Sequence, residues 1–268
     1  MLNERKLTEN ELEQRKIALK GLLKNKQALV KKYGGDAEKV MYGIATKQAK
    51  KKVEKMNLEN LRSMIKRNTT VEHKFVVLTD RHRKGFDCRI LKPGFIGWWN
   101  KLQLFDTFHK LGDRCFYFDL DTVITGDLDW LFKYDGDFLG IEDVGSVNSH
   151  QPHLKNVLQS AVMSWNPMVG ASIWNEFILR KDWAVKSFRG DGEYLNASVP
   201  KYQRQLLQKK YPGKLKSYKY QIYNKGLDKD TSIVCFHGRP SIIQAMNETV
   251  VTPMQTFEPQ DWIKDYWR

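Results

Sequence analysis

Asp119 and Asp121, separated by one residue, close an apolar and aromatic run that begins at Cys115. On an extended backbone, side chains at i and i+2 point the same way, roughly 6.6 Å apart along the strand. Two carboxylates held that close repel each other, and a shared cation is the simplest reason to keep both. Hard divalent ions such as Mg2+ and Mn2+ favour carboxylate oxygen and bridge phosphates. A second polar cluster follows another apolar run: Ile233, Val234, Cys235 and Phe236 lead into His237, Gly238 and Arg239. Gly238 permits close backbone approach to a phosphate, and the Arg239 guanidinium can hold one through two charge-assisted hydrogen bonds. The chemistry implied is metal-assisted handling of a diphosphate.

Elements must bring these groups together. Short runs rich in β-branched and aromatic residues without polar alternation predict buried strands at 74–78, 89–91, 115–119, 138–141, 160–165 and 232–236. Helices are predicted at 58–66, 98–111, 128–132 and 170–179. Strands alternating with helices indicate an α/β domain with a largely parallel sheet, in which ligands bind beyond the carboxyl ends of strands. Before residue 57 the texture is different. Thr8 and Glu11 form a capping-box pattern that opens a helix over 8–32; Gly34, Gly35 and Asp36 punctuate it, and a second basic helix covers 37–55. The predicted division is a basic helical module over 1–56 and an α/β domain over 57–268.

The chain has 268 residues, 41% of them hydrophobic and 12% aromatic, enough for a substantial core and contrary to disorder. Of the net charge of +14, residues 1–55 carry +8, from 15 Lys and Arg against seven Asp and Glu. Phosphate attraction makes nucleic acid a possible partner for this arm, but no Arg-based or aromatic reading surface accompanies the lysines, and a solvated basic face is the plainer use of them. Cys88, Cys115 and Cys235 are odd in number and widely spaced, which argues against a disulfide framework or zinc knuckle. Residues 1–20 lack the apolar centre of a secretory signal, and no stretch approaches the ~18 apolar residues of a membrane span. A reduced, cytoplasmic setting is the expectation.

Five ordered blocks carry a resemblance: Gly97-Trp98-Trp99-Asn100-Lys101-Leu102, Phe116 to Leu128 around the aspartate pair, Ser160 to Met163, Gly190-Asp191-Gly192-Glu193, and Cys235 to Pro240. Over roughly 57–268 the chain resembles GT-A-type glycosyltransferases of phages and bacteria near glycosyltransferase family 8. The resemblance implies a nucleotide-sugar donor, most simply a UDP-sugar, and a glycan, lipid-linked or other hydroxyl acceptor. It implies that Asp121 and His237 ligate Mn2+ or Mg2+ with Asp119, which also binds donor. Lys101, Gln159, Gly238 and Arg239 would contact donor sugar or diphosphate, and Asp191 and Glu193 would position the reacting sugar. Gly192 stands where the family has glutamine, and Gln159 where it often has asparagine. Trp98, Trp99 and Trp165 could stack on a sugar, though core packing suits most of them. The strand that opens such domains and supplies part of the nucleobase pocket has no counterpart before residue 57. That departure motivates one alternative, a degenerate domain acting as a binding or assembly module, and the positive charge permits another, an enzyme that glucosylates DNA. The first 56 residues resemble a Lys-rich module of assorted phage proteins, which would place the chain in a host cytoplasm.

Overall fold

The computed structural model describes residues 7–24, 26–147, 151–253 and 255–268. Three helices come first: α1 (Glu9–Leu23), α2 (Lys26–Tyr33) and α3 (Ala37–Asn68). The α/β part follows as β1 (Val76–Thr79), β2 (Asp87–Ile90), a 3-10 helix over Gly97–Phe105, β3 (Cys115–Phe118), β4 (Thr122–Ile124), α4 (Asp129–Phe132), β5 (Phe138–Glu142), β6 (Leu158–Trp165), α5 (Pro167–Leu179), α6 (Lys181–Ser187), α7 (Asp191–Ser198), β7 (Arg204–Leu206), α8 (Leu207–Lys210), β8 (Leu215–Ser217) and β9 (Ile233–Cys235). The chain ends with α9 (Ile242–Asn247), the short strands β10 (Val250–Val251) and β11 (Thr256–Phe257), and α10 (Trp262–Tyr266). Contacts divide it into two compact units, residues up to Ser63 together with Gly238–Arg268, and Met64–His237.

In the first unit, Thr8 accepts from the Glu11 amide while Glu11 Oε2 accepts from the Thr8 amide, so the predicted capping box forms. The helix it opens stops at Leu23 rather than running to residue 32. The two helices predicted at 37–55 and 58–66 are one continuous element, so the expected boundary at 56/57 falls inside α3. No glycine or proline interrupts 51–60, and the stripe Met41, Ala45, Ala49, Val53 is buried throughout.

The second unit is α/β with mixed sheets. One sheet has the order β3-β6-β5-β7, with β6 antiparallel to both its neighbours and β7 parallel to β5. A second has the order β4-β9-β8, antiparallel then parallel, and β1 and β2 form a separate parallel pair. Because β6 runs opposite to β3 and β5, the carboxyl ends of those two strands meet its amino end. Thr122 faces Cys235 and Ser217 faces Cys235 in the other sheet, which sets the start of β4 beside the ends of β8 and β9. Among the described residues no strand precedes β1, and β3 is an edge strand of its sheet.

The helix predicted at 98–111 is instead a nine-residue 3-10 helix followed by a single turn over Thr107–His109. Trp99, Leu102 and Phe105 recur every third residue and are all buried, a spacing that lines one edge of a three-residue-per-turn helix. They enter the main core with Phe138, Met163, Trp165, Trp174 and Phe177, where Trp99 stacks on Phe177 at 5.7 Å. Asn166 caps α5 by accepting from the Val169 amide, with Pro167 in the first turn. No helix among the described residues is long and apolar enough to cross a membrane. All three cysteines are free thiols, and burial pushes Cys115 up to about 11.

Candidate active site

Asp119 follows β3 directly and Asp121 precedes β4, but the pair does not sit on extended backbone. The Thr122 amide donates to the Asp119 carbonyl at 3.2 Å, so Leu120 and Asp121 are the centre of a tight turn between two sheets. The 3-10 helix delivers Lys101 to this turn. Its Nζ donates to both Asp119 oxygens, at 2.9 and 3.2 Å, and lies 3.4 Å from Asp191 Oδ2. Ser160, on β6, accepts from Lys101 at 3.2 Å and donates to Asp191 Oδ2 at 2.5 Å. The Tyr117 hydroxyl donates to Asp119 Oδ1 at 2.5 Å. One ammonium is thus held between two carboxylates, each tied by a hydroxyl.

The electrostatics follow from this arrangement. Burial alone would lower the Lys101 pKa, but the charges of Asp119 and Asp191 outweigh it and leave it raised. Burial, then the charge of Asp119, drives the Tyr117 phenol well above its ordinary value, so it stays a donor. Asp121 is pushed up to about 7, first by the protein atoms packed around it and then by Asp119. Its side chain nonetheless opens to solvent, and water both hydrates the charged form and screens the repulsion from Asp119, so each effect is weaker than full burial would make it.

His237 extends from β9. The Phe236 amide donates to the Asp121 carbonyl at 3.0 Å, so backbone pairing brings the His237 segment against the aspartate turn. The imidazole Nε2 is hydrogen-bonded to Ser217 Oγ at 2.8 Å, and its ring lies 5.4 Å from that of Tyr220. Burial and then Lys219 hold its pKa down at about 4, which keeps it neutral, the form that binds metals. Among the described residues, no three His, Cys, Asp or Glu side chains converge as a metal cage. The donors nearby are Asp121, open to solvent, and the neutral His237 imidazole, whose Nε2 is engaged by Ser217, while Asp119 is already held by Lys101 and Tyr117; an ion here would take most of its ligands from phosphate and water.

Gln159 donates from Nε2 to Asp143 Oδ2 at 2.9 Å. A Cβ at position 192 would lie 2.2 Å from Gln159 Oε1, so glycine there is what lets the amide lie across the start of α7. Asp143, just beyond β5, was not singled out from sequence. Its partners are Gln159 and the Gly145 amide at 2.8 Å, and its charge acts on His237. A carboxylate ending an apolar strand was the available signal. Glu193 turns away: it accepts from the Arg189 amide at 2.6 Å, and that bond lowers its pKa. Arg114 donates to the Gly136 and Asp135 carbonyls rather than to the aspartate pair. Gly238, at φ 66°, and Arg239, exposed, belong to the first unit.

Solved structures share this architecture. A glycosyltransferase of Streptococcus pneumoniae TIGR4, GlyE, matches over 70% of this chain with a TM-score of 0.51 and 18% identity. The bifunctional glycosyltransferase WbbM matches over 70% of the chain at a TM-score of 0.50 and 10% identity. The fold is that of glycosyltransferases. The chain spans about half the length of these proteins, 53% of the first and 44% of the second. No family model and no curated protein matches the sequence. Within this glycosyltransferase fold, Asp119, Asp121, Asp143, Gln159, Ser160 and His237 all lie at or just beyond strand ends, with Lys101 and Asp191 joined to them by hydrogen bonds or ion pairs.

Proposed function

We propose that the chain is a metal-dependent glycosyltransferase that moves a sugar from a nucleoside-diphosphate donor, a UDP-sugar being the simplest case, to an acceptor hydroxyl. The observation that carries this reading is the Lys101 ammonium fixed between Asp119 and Asp191 at the strand ends of a glycosyltransferase fold. Asp121, with His237 and Asp119, would hold Mn2+ or Mg2+, which when bound offsets negative charge developing on the diphosphate leaving group. Lys101, held charged, adds a fixed positive site without reorganisation during the reaction. Asp191, kept in place by Ser160, orients the donor sugar, with Gln159 beside it. The diphosphate role of Gly238 and Arg239 and the sugar role of Glu193 rest on the sequence resemblance.

A UDP-sugar panel assayed for UDP release with Mn2+ tests the reading. Turnover that disappears with EDTA and falls at least about a hundredfold in Asp121→Asn is the expected result. Folded protein with no turnover on any donor overturns it. Among the described residues no strand precedes β1, and this supports a second reading, a binding module without catalysis. Mass action separates the two: UDP with Mn2+ at a hundred times its Kd stabilises a binding protein by about 2.7 kcal/mol, and a module that has lost the site shows no thermal shift.

A further inference from the structure

Packing separates the tryptophans of the Gly97 block from each other. Trp99 is buried in the core, whereas Trp98 is 61% exposed. Yet the Trp98 ring is not loose. Its Nε1 donates to the Arg189 carbonyl at 3.0 Å. Gly190 backs directly onto the indole, where a Cβ would lie 3.0 Å from Nε1 and 3.1 Å from Cδ1. The ring is therefore clamped along its polar edge while most of its surface stays open to solvent. An indole whose one donor is already used offers a neighbour only its flat apolar surface.

Its location is as informative as its exposure. In a 3-10 helix residues i and i+3 eclipse, so Trp98 stands over Lys101 at about 6 Å along the axis. On the other side Gly190 precedes Asp191, the carboxylate that Lys101 and Ser160 hold. The two segments that fix Trp98 are those that carry Lys101 and Asp191. The surroundings are polar: Arg189, its side chain 93% exposed, pairs with Glu193 at 3.4 Å. A flat apolar ring bordered by charged groups matches a pyranose, which has one face of C–H bonds and an edge of hydroxyls.

We propose that Trp98 is the stacking platform of an acceptor subsite, on which a pyranose of a glycan lies beside the segments that carry Lys101 and Asp191. The inference rests on the transferase reading for the word acceptor, but not for the glycan itself. Ile96, 81% exposed two residues away, makes a membrane surface the competing occupant.

The test uses the full chain and its Trp98→Ala, Trp98→Phe and Trp183→Ala variants on an array of hexose and N-acetylhexosamine oligosaccharides. Trp183 is also exposed, at 52%, but packs edge-on against Phe188 and serves as the control. The expected result is binding of at least one glycan class, weakened roughly tenfold by Trp98→Ala, less by Trp98→Phe, and unchanged by Trp183→Ala. No glycan bound by the unaltered chain, or equal binding by Trp98→Ala with an unchanged melting temperature, overturns the proposal. So does Trp98-dependent binding to phosphatidylglycerol vesicles without binding to glycans. A UDP and Mn2+ thermal shift measured in parallel reports the donor site separately. If that shift is absent while Trp98-dependent glycan binding persists, the transferase reading fails and the glycan subsite stands.

Discussion

Lys101 is the residue on which the pocket turns, because its single charge lies between two carboxylates, Asp191 buried and Asp119 partly exposed, that would otherwise face each other unopposed. Removing it leaves both without a counter-charge, and breaking a buried pair costs more than the pair itself contributes. Since Lys101 and Asp119 keep 15% and 28% of their side-chain surface in solvent, the loss is moderated, and Lys101→Met is expected to destabilise by about 2 kcal/mol in denaturant titration. Tyr117→Phe removes a charge-assisted bond to Asp119 and should cost about 1.5–3 kcal/mol by the same measurement, with the Lys101 contact intact. The charged partners were legible in sequence as Asp-X-Asp, Lys101 and Asp191. The hydroxyls of Tyr117 and Ser160 were not, since their value lies wholly in which carboxylate they reach. Glu193 shows the converse. It stands two residues from Asp191, but on a helix that spacing turns it to another side, where the Arg189 amide takes it.

At the scale of elements, the two sheets are joined around the aspartate turn, and α4 is anchored nearby. Asp129, in its first turn, accepts from the Thr69 hydroxyl at 2.6 Å and from the Thr70 amide at 2.8 Å, and these bonds, the Thr69 hydroxyl foremost, hold its pKa at about 2. A depressed carboxylate pKa contributes stability that is fully present above the ordinary value of 3.8 and lost as the pH falls toward 2. Acid unfolding should therefore steepen between those values, and Asp129→Asn should flatten that part of the curve while lowering stability at pH 7. In α5, a Cβ at Gly170 would lie 2.8 Å from Cδ1 of the buried Trp165 ring. A ring in the core cannot swing aside, so Gly170→Ala is expected to cost about 1–3 kcal/mol in thermal unfolding. Gly192→Ala meets only the flexible end of Gln159, and should cost less than about 1 kcal/mol while releasing that amide from Asp143. Most element positions in the α/β part were legible, because β-branched and aromatic runs mark strands. The 3-10 helix was read as α-helical because apolar residues at i and i+3 satisfy both periods over so short a stretch.

For the whole molecule, charge is the property that acts at long range. Residues 1–55 carry +8 of the +14, and the lysines of α3 from Lys50 to Lys52 are solvated or half-exposed. A solvated basic face predicts no tight association with duplex DNA in fluorescence anisotropy; contact through phosphate attraction alone would be independent of sequence and fall roughly tenfold or more between 50 and 200 mM salt. Tight binding that survives 200 mM salt would instead require a built recognition surface on these helices.

The sequence by itself determined which residues carry charge at the ends of apolar runs, and therefore the α/β class and the metal-and-diphosphate chemistry expected of it. Those are properties of local composition and spacing. Only the tertiary structure decided that Lys101 stands between Asp119 and Asp191, that Gln159 crosses Gly192 to Asp143, and that Trp98 rather than Trp99 stays in solvent. Each depends on residues from 16 to 91 positions apart meeting at atomic distance, and such meetings follow from strand pairing and core packing rather than from any pattern along the chain.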